Sequence, residues 1–291
     1  LEAWRGLQDD PAQPLLDRAT RGFYPPGSTF KLVVAAAALE RGLQPSTALE
    51  DKAEYTPPQT TNAIPNFSPG PCAGGGTISL QDALRVSCNT VFAELGVRLG
   101  AEALADMATR LGFNREVPYE LPVETSAFPG DLDEPATAQS AIGQRDVRWT
   151  PMHAALVVSA IVNDGQMVAP HVVQEVLDPA SRPLSVTDPT LWRIEGGDAR
   201  AMSQRTAEQL REMMVSVVQD GTGTRAQIDG VTVGGKTGTA ENPADESATA
   251  WFVGFAEDQV AVAVVVPDAG GEGGGTAAAP IARAVMQAAL S

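Results

Sequence analysis

The sequence has few of the residues that metal or triad chemistry uses: two histidines, His153 and His171, and two cysteines, Cys72 and Cys88, in 291 residues. That count excludes a Cys- or His-rich zinc site, though not a carboxylate one. Runs of lysine or arginine are also missing, and the formal charge is −16. Without clustered cations there is no basic face for nucleic acid or an anionic membrane. No apolar stretch approaches the ~20 residues that span a bilayer. Residues 1 to 20 lack the basic start and apolar centre of a signal peptide. Lysine itself is scarce: of 20 basic residues only Lys31, Lys52 and Lys236 are lysines. Arginine keeps its proton under protein conditions, whereas a desolvated lysine can lose it, so a lysine in such a chain can mark chemistry. Lys52, within Leu-Glu-Asp-Lys-Ala-Glu, fits surface charge.

What is present, 43% apolar residues with 28 Gly and 22 Pro, suffices for one large core or two packed lobes. Tyr24-Pro25-Pro26-Gly27 blocks helix up to Gly27 and releases it beside Ser28. Phe30 to Leu39 is apolar on nearly every face, as in a core helix buried all round. From Gln44 to Gly76 the chain is rich in Pro, Thr, Asn and Gly and reads as a long surface excursion, of the kind that borders active sites. Helices are expected at about 79 to 98, opening on a Ser79/Asp82 capping pair, at 101 to 111, at 150 to 163 and at 203 to 219. Val168 to Val176 with the following Asp178–Pro183 suggests a hairpin outside the core. Val231–Val233, Ala250–Phe255 and Val260–Val266 read as three strands of an antiparallel sheet, and Pro280–Leu290 as a closing helix. The expected class is therefore α/β of the α+β kind: a mostly helical lobe over about 40–220, and a sheet lobe over about 221–291 joined by the N-terminal segment.

Three short motifs carry possible chemistry. Ser28-Thr29-Phe30-Lys31 sets a hydroxyl and an amine one helical turn apart, a nucleophile beside a base. Taken alone it reads better as a capped helix start with a solvated lysine, a reading that the apolar helix after it weakens because Lys31 would sit near the core. Ser87-Cys88-Asn89 falls within the helix expected at 79 to 98, where Ser and Asn have no propensity advantage and want partners. Lys236-Thr237-Gly238-Thr239 follows a β-branched strand, offering hydroxyls and a charge suited to a carboxylate, with Gly238 admitting a substrate backbone to the strand edge. Residues 230 to 237 also fit the phosphate-loop pattern, but Gly238 to Pro243 cannot open the helix such a loop needs. A Ser-His-Asp hydrolase lacks its Gly-x-Ser-x-Gly.

The order Ser-x-x-Lys, Ser-x-Asn, Lys-Thr-Gly resembles that of the penicillin-recognising serine enzymes. Arg21 to Lys31, Ala138 to Gln144 with Thr150-Pro151-Met152, and Ala278 to Ile281 resemble the class B penicillin-binding proteins, over nearly the whole chain. Ser-Cys-Asn and the Arg- and Ala-rich composition are most similar to the actinobacterial penicillin-binding protein A group. The resemblance implies a peptidoglycan D,D-transpeptidase that serves cell division or cell shape and is inhibited by β-lactams. It assigns Ser28 as nucleophile, Lys31 as its base and Ser87 as proton relay. Asn89 would hold the peptide amide; Lys236, Thr237, Gly238 and Thr239 would bind the terminal carboxylate side. The amides of Ser28 and Thr239 would form the oxyanion hole. No cofactor or metal is implied. Partners would be D-Ala-D-Ala stem peptides, an acceptor amine, β-lactams and, through an N-terminal region, a membrane glycan polymerase and division proteins. The site of action would be the extracytoplasmic face of the bacterial membrane, with an N-terminal anchor helix.

Rival readings are a D,D-carboxypeptidase, separated only by acceptor binding, a class A β-lactamase, whose Glu-x-x-Leu-Asn is absent, and a non-catalytic β-lactam sensor. In the family, two sheet strands precede Ser-x-x-Lys, after an anchor and a pedestal. Leu1 to Thr20 contain no plausible pair, so Val260–Val266 is expected to show an unpaired edge. An extracytoplasmic setting permits a Cys72–Cys88 disulfide pinning the excursion to the Ser87 helix; the alternative is two unrelated thiols.

Overall fold

Two short helices, α1 (Glu2–Gln8) and α2 (Arg18–Arg21), precede the first core element. The computed structural model describes residues 2–11, 13–186, 190–194, 197–241 and 248–291. After the Pro-Pro-Gly stop the chain makes a 3-10 turn over Gly27–Phe30 and runs directly into α3 (Lys31–Glu40). Lys31 through Leu39 are all buried, as the uniformly apolar sequence requires. The helix end is tied across the molecule: the Glu40 carboxylate accepts from the Ser203 amide, the Ser203 and Thr206 hydroxyls, and pairs with Arg110.

The excursion after α3 has more structure than its composition suggests. Its ends pair as β1 (Ala48–Asp51) and β4 (Gly76–Ser79); inside, β2 (Glu54–Tyr55) pairs with β3 (Ile64–Pro65). Order here comes from a buried carboxylate and not from apolar periodicity. Asp51 accepts the amides of Cys72, Ala73 and Gly75 at 2.7, 2.7 and 2.9 Å, and so holds the Gly-rich tip.

The helix expected at 79 to 98 is two helices, α4 (Leu80–Arg85) and α5 (Asn89–Leu99). Ser79 caps α4 through the Asp82 amide, as its spacing predicts. The break is at Ser87, in the left-handed region at φ 62°, and it takes Ser87 and Cys88 out of helical geometry, so that Asn89 opens α5. Three ties hold the break open. Cys88 forms a disulfide with Cys72, and Asn66 Oδ1 accepts the amides of both Asn89 and Thr90 at 3.1 Å. Asn66 thus caps α5 from a distant loop, in place of the Cys88 side chain, which makes no cap bond.

Next come α6 (Ala101–Arg110), α7 (Glu134–Ala141), which the sequence did not single out, and α8 (Pro151–Val162). The hairpin beyond α8 is split: β5 (Val168–Ala169) pairs with β8 (Thr190–Leu191), while β6 (Glu175–Leu177) pairs with β7 (Pro183–Val186), fully exposed. The stretch over 40–220 is therefore not all-helical, since four small strand pairs decorate it. Helix α9 (Gln204–Asp220) closes it.

The final sheet has order β11-β10-β9, all antiparallel, with β9 (Val233–Glu241), β10 (Ala248–Ala256) and β11 (Val260–Val266). Lys236 to Thr239 lie within β9 and do not follow a strand; Phe252 of β10 pairs with Thr237. The sheet registry carries β9 through the motif to Glu241, so no helix opens there; Asn242 and Pro243 lie outside the described residues. Every residue of β10 is buried, and the strand alternates faces. Trp251, Val253 and Phe255 join the main core with the helices, while Phe252 and Ala256 pack beside Met286 and the end of α9. Two helices, α10 (Gly274–Ala277) and α11 (Ala279–Ala289), complete the chain.

Candidate active site

Ser28 sits on the 3-10 turn where the Pro-Pro-Gly stop meets α3, half-buried and facing an open cleft of about 820 Å³. Two glycines press that turn into place. A Cβ on Gly143 would lie 1.9 Å from the Gly27 carbonyl oxygen, and one on Gly238 would lie 2.8 Å from that of Pro26. Gly238 therefore brings β9 against the nucleophile turn, whereas the sequence suggested an approach by a substrate backbone. The Gly27 amide donates to the Gly143 carbonyl at 3.0 Å.

Below the cleft floor lie Lys31 and Lys236, both fully buried. Lys31 Nζ donates to the Ser87 carbonyl at 2.8 Å, to Asn89 Oδ1 at 2.7 Å and to Ser87 Oγ at 3.4 Å. Lys236 Nζ donates to Ser87 Oγ at 2.8 Å and to the Thr237 carbonyl at 2.8 Å. One hydroxyl thus bridges two lysines from elements far apart in sequence. Burial, and after it the Lys236 charge, pull Lys31 well below the usual lysine value. Burial alone lowers Lys236 to about 7. Near neutral pH the pair can hold one proton fewer than two solvated lysines would, leaving an amine free to accept.

All three motifs line or floor the same cleft: Ser28, Ser87, Asn89, Thr237, Gly238 and Thr239 face it. The bonds of Lys31 run to Ser87 and Asn89, and among the described residues Ser28 Oγ makes no hydrogen bond. A nucleophile free in the unliganded state is common, because such bonds tighten when substrate fills the site. Thr237 Oγ1 lies 2.6 Å from Thr222 Oγ1, and Thr239 Oγ1 accepts from the Gly274 amide at 3.4 Å.

Several cleft residues carried no signal in the sequence reading. Thr222 lies between Gly221 and Gly223 just past α9, and that small-residue frame was its one visible mark. Asn66 looked like any loop asparagine. Arg145 lines the cleft from the loop after α7 and had no mark at all; Gln139 and Gln144, which line it too, lie in the Ala138–Gln144 stretch that carried the family resemblance, though no role was assigned to them.

Two other titratable groups with shifted values are structural. Lys52 pairs with Glu50 at 2.8 Å and Glu94 at 3.0 Å, and those partners raise it. His153 is buried, its Nε2 2.7 Å from the Leu111 carbonyl, and burial lowers it to about 4 despite that bond. It is a neutral core residue, not a base. Among the described residues one group of three potential metal ligands exists, Asp51 with Cys72 and Cys88. Both sulfurs are bonded to each other, and the carboxylate is taken by backbone amides.

The profile of the penicillin binding protein transpeptidase domain matches residues 4–287. The chain is 42% identical over 299 residues to peptidoglycan D,D-transpeptidase PbpA of Mycolicibacterium smegmatis, covering 99% of this chain and 60% of that protein. Stage V sporulation protein D of Bacillus subtilis is 32% identical, over 92% of this chain and 42% of its own length. A structure of penicillin-binding protein A from M. tuberculosis, a ceftriaxone acyl-enzyme complex, superposes with a TM-score of 0.91 at 37% identity, covering 100% of this chain and 66% of that one. The chain thus spans about 60% of the PbpA relative it matches and less of the sporulation protein. With the family profile covering nearly every residue, and the three motifs converging on one cleft, the chain belongs to the penicillin-binding protein transpeptidase family.

Proposed function

We propose that this chain is the D,D-transpeptidase domain of a peptidoglycan cross-linking enzyme. The observation that carries the reading is the pair of buried lysines bridged by the Ser87 hydroxyl beneath Ser28. Ser28 Oγ attacks the penultimate D-Ala carbonyl of a stem peptide, and its proton passes to neutral Lys31. The tetrahedral oxyanion rests on the Ser28 and Thr239 amides, which are fixed by the turn and the strand before any substrate arrives. Collapse breaks the C–N bond; Ser87 passes a proton to the departing D-Ala amine, and Lys236 resupplies the hydroxyl. Asn89 holds the amide of the acyl half, and Thr237 and Thr239 hold the terminal carboxylate. The amine of a second stem peptide then attacks the ester and releases Ser28, forming the cross-link.

β-Lactams enter by the same first step and stay as esters, since the chain has no Glu-x-x-Leu-Asn to activate water. The domain belongs, in this reading, to a longer membrane-anchored protein acting outside the cytoplasm, with its polymerase and division partners engaged elsewhere on that protein. Intact-mass analysis with penicillin tests the proposal. One β-lactam mass on Ser28, lost in Ser28→Ala and persisting for many minutes, is expected. No adduct on the folded protein would refute it, and rapid turnover of nitrocefin would shift the reading to a β-lactamase.

A further inference from the structure

The cleft has a sign that the protein as a whole does not. The chain carries a formal charge of −16, yet no carboxylate stands among the described residues that line the cleft. Both lysines beneath it are buried and already spent on hydrogen bonds to Ser87, Asn89 and Thr237. One charged side chain does line it: Arg145, which is exposed. Its guanidinium has no carboxylate partner and no hydrogen bond among the described residues, although the chain has 36 acidic residues against 20 basic ones. Arg85, Arg110, Arg182 and Arg211 are in ion pairs while many other arginines are not, so what sets Arg145 apart is its place on the cleft wall.

The backbone holds Arg145 there at a cost. Its φ is 60°, in the left-handed region that a side-chain-bearing residue enters at an expense. The neighbouring Arg148 fixes that geometry by donating from Nη1 to the carbonyls of Arg145 and Val147. Two residues earlier, Gly143 is locked against Gly27, beside the nucleophile. Arg145 thus stands on a short, pinned loop whose other end touches the Ser28 turn. That loop is a different wall of the cleft from β9, where Thr237 and Thr239 offer their hydroxyls.

We propose that Arg145 forms a second anion subsite, taking a carboxylate of a peptide substrate other than the terminal one held at β9. This rests on the transpeptidase reading above. The carboxylate is carried either by the acyl half of the donor, which extends away from its C-terminus, or by the acceptor strand. A guanidinium offers five donors in a planar fork that matches a carboxylate, and an exposed one steers an anion into a cleft against the field of an acidic protein.

The test uses the full-length protein and two pairs of synthetic peptides: donors ending in D-Ala-D-Ala, and acceptor amines, each with an internal carboxylate or the matching carboxamide. kcat/KM is measured for each in wild type, Arg145→Lys and Arg145→Gln. Glutamine tolerates this backbone, since Gln13 and Gln59 adopt it in the same chain at φ 48° and 66°. The ratio of carboxylate to carboxamide within each variant cancels any general loss of activity. Wild type is expected to favour the carboxylate about tenfold, Arg145→Lys to keep part of that preference and Arg145→Gln to lose it. A preference in the donor pair assigns the subsite to the acyl half, and one in the acceptor pair to the acceptor. Equal rates for both pairs in wild type, or a preference that survives in Arg145→Gln, would overturn the inference while penicillin still acylates Ser28. Absence of acylation in wild type would instead remove the transpeptidase reading, and the subsite with it.

Discussion

At the residue scale, two buried lysines share one hydroxyl. Lys31 and Lys236 were conspicuous in the sequence because lysine is rationed, and their burial accounts for the depressed basicity of both. What the sequence did not disclose is that Ser87 joins them, because that contact depends on a left-handed residue between two helices. Replacing Lys31 with arginine keeps a charge but supplies no base at neutral pH, so acylation by penicillin should fall at least a thousandfold; retained labelling would take Lys31 out of that role. Lys236 gives a stability test whose sign is fixed. Its folded value of about 7 lies below the unfolded lysine value near 10.5, so the unfolded chain binds more protons between them. Stability should therefore rise with pH from about 7 towards 10, by at most about 1.4 kcal/mol per pH unit for this group. Thermal melts of wild type and Lys236→Met should diverge in slope over that window. Parallel slopes would mean that Lys236 titrates normally.

At the scale of elements, long periodic segments were readable and their interruptions were not. α3, α6, α8, α9 and β11 lie within a residue or two of where apolar spacing and caps put them. The single helix expected over 79 to 98 failed because periodicity says nothing of a disulfide or a cap lent by Asn66. Likewise the strand expected at Val231–Val233 shares only Val233 with β9, since a strand rich in Gly and Thr shows no alternation until its neighbour β10 is known. The excursion over 44–76 now has a mechanical role: its tip hangs on Asp51, and it is tied to the Ser87–Asn89 segment by the Cys72–Cys88 bond together with Asn66. Closing a loop of 16 residues is worth about 3 kcal/mol. Reduction should therefore lower the melting temperature by several degrees and slow β-lactam acylation, as read by stopped-flow labelling with and without reductant. Two alkylatable thiols in unreduced, denatured protein would refute the bond, and unchanged acylation rates after reduction would confine it to stability.

For the whole molecule, one core runs from α3 through the helices to the inward face of β10, so the two regions read from the sequence share their interior. The sheet ends at β11, which among the described residues pairs with β10 alone and leaves its residues other than Val262 partly exposed at the outer edge. Such an edge recruits another strand. The 291-residue chain on its own should associate with rising concentration, visible as a shift in sedimentation, and a charged substitution such as Val264→Lys should suppress it; a monodisperse monomer at high concentration would argue against an available edge. The packing around the nucleophile also has an evolutionary consequence. At Gly143 and Gly238 any added side chain meets backbone at 1.9 and 2.8 Å, so the walls touching the Ser28 turn admit almost no heritable change. The rim is different: Phe67 is 83% exposed and Arg145 is exposed as well. A lineage pressed by an inhibitor of this cleft has its accessible escape routes there, at the cost of whatever substrate recognition the rim performs.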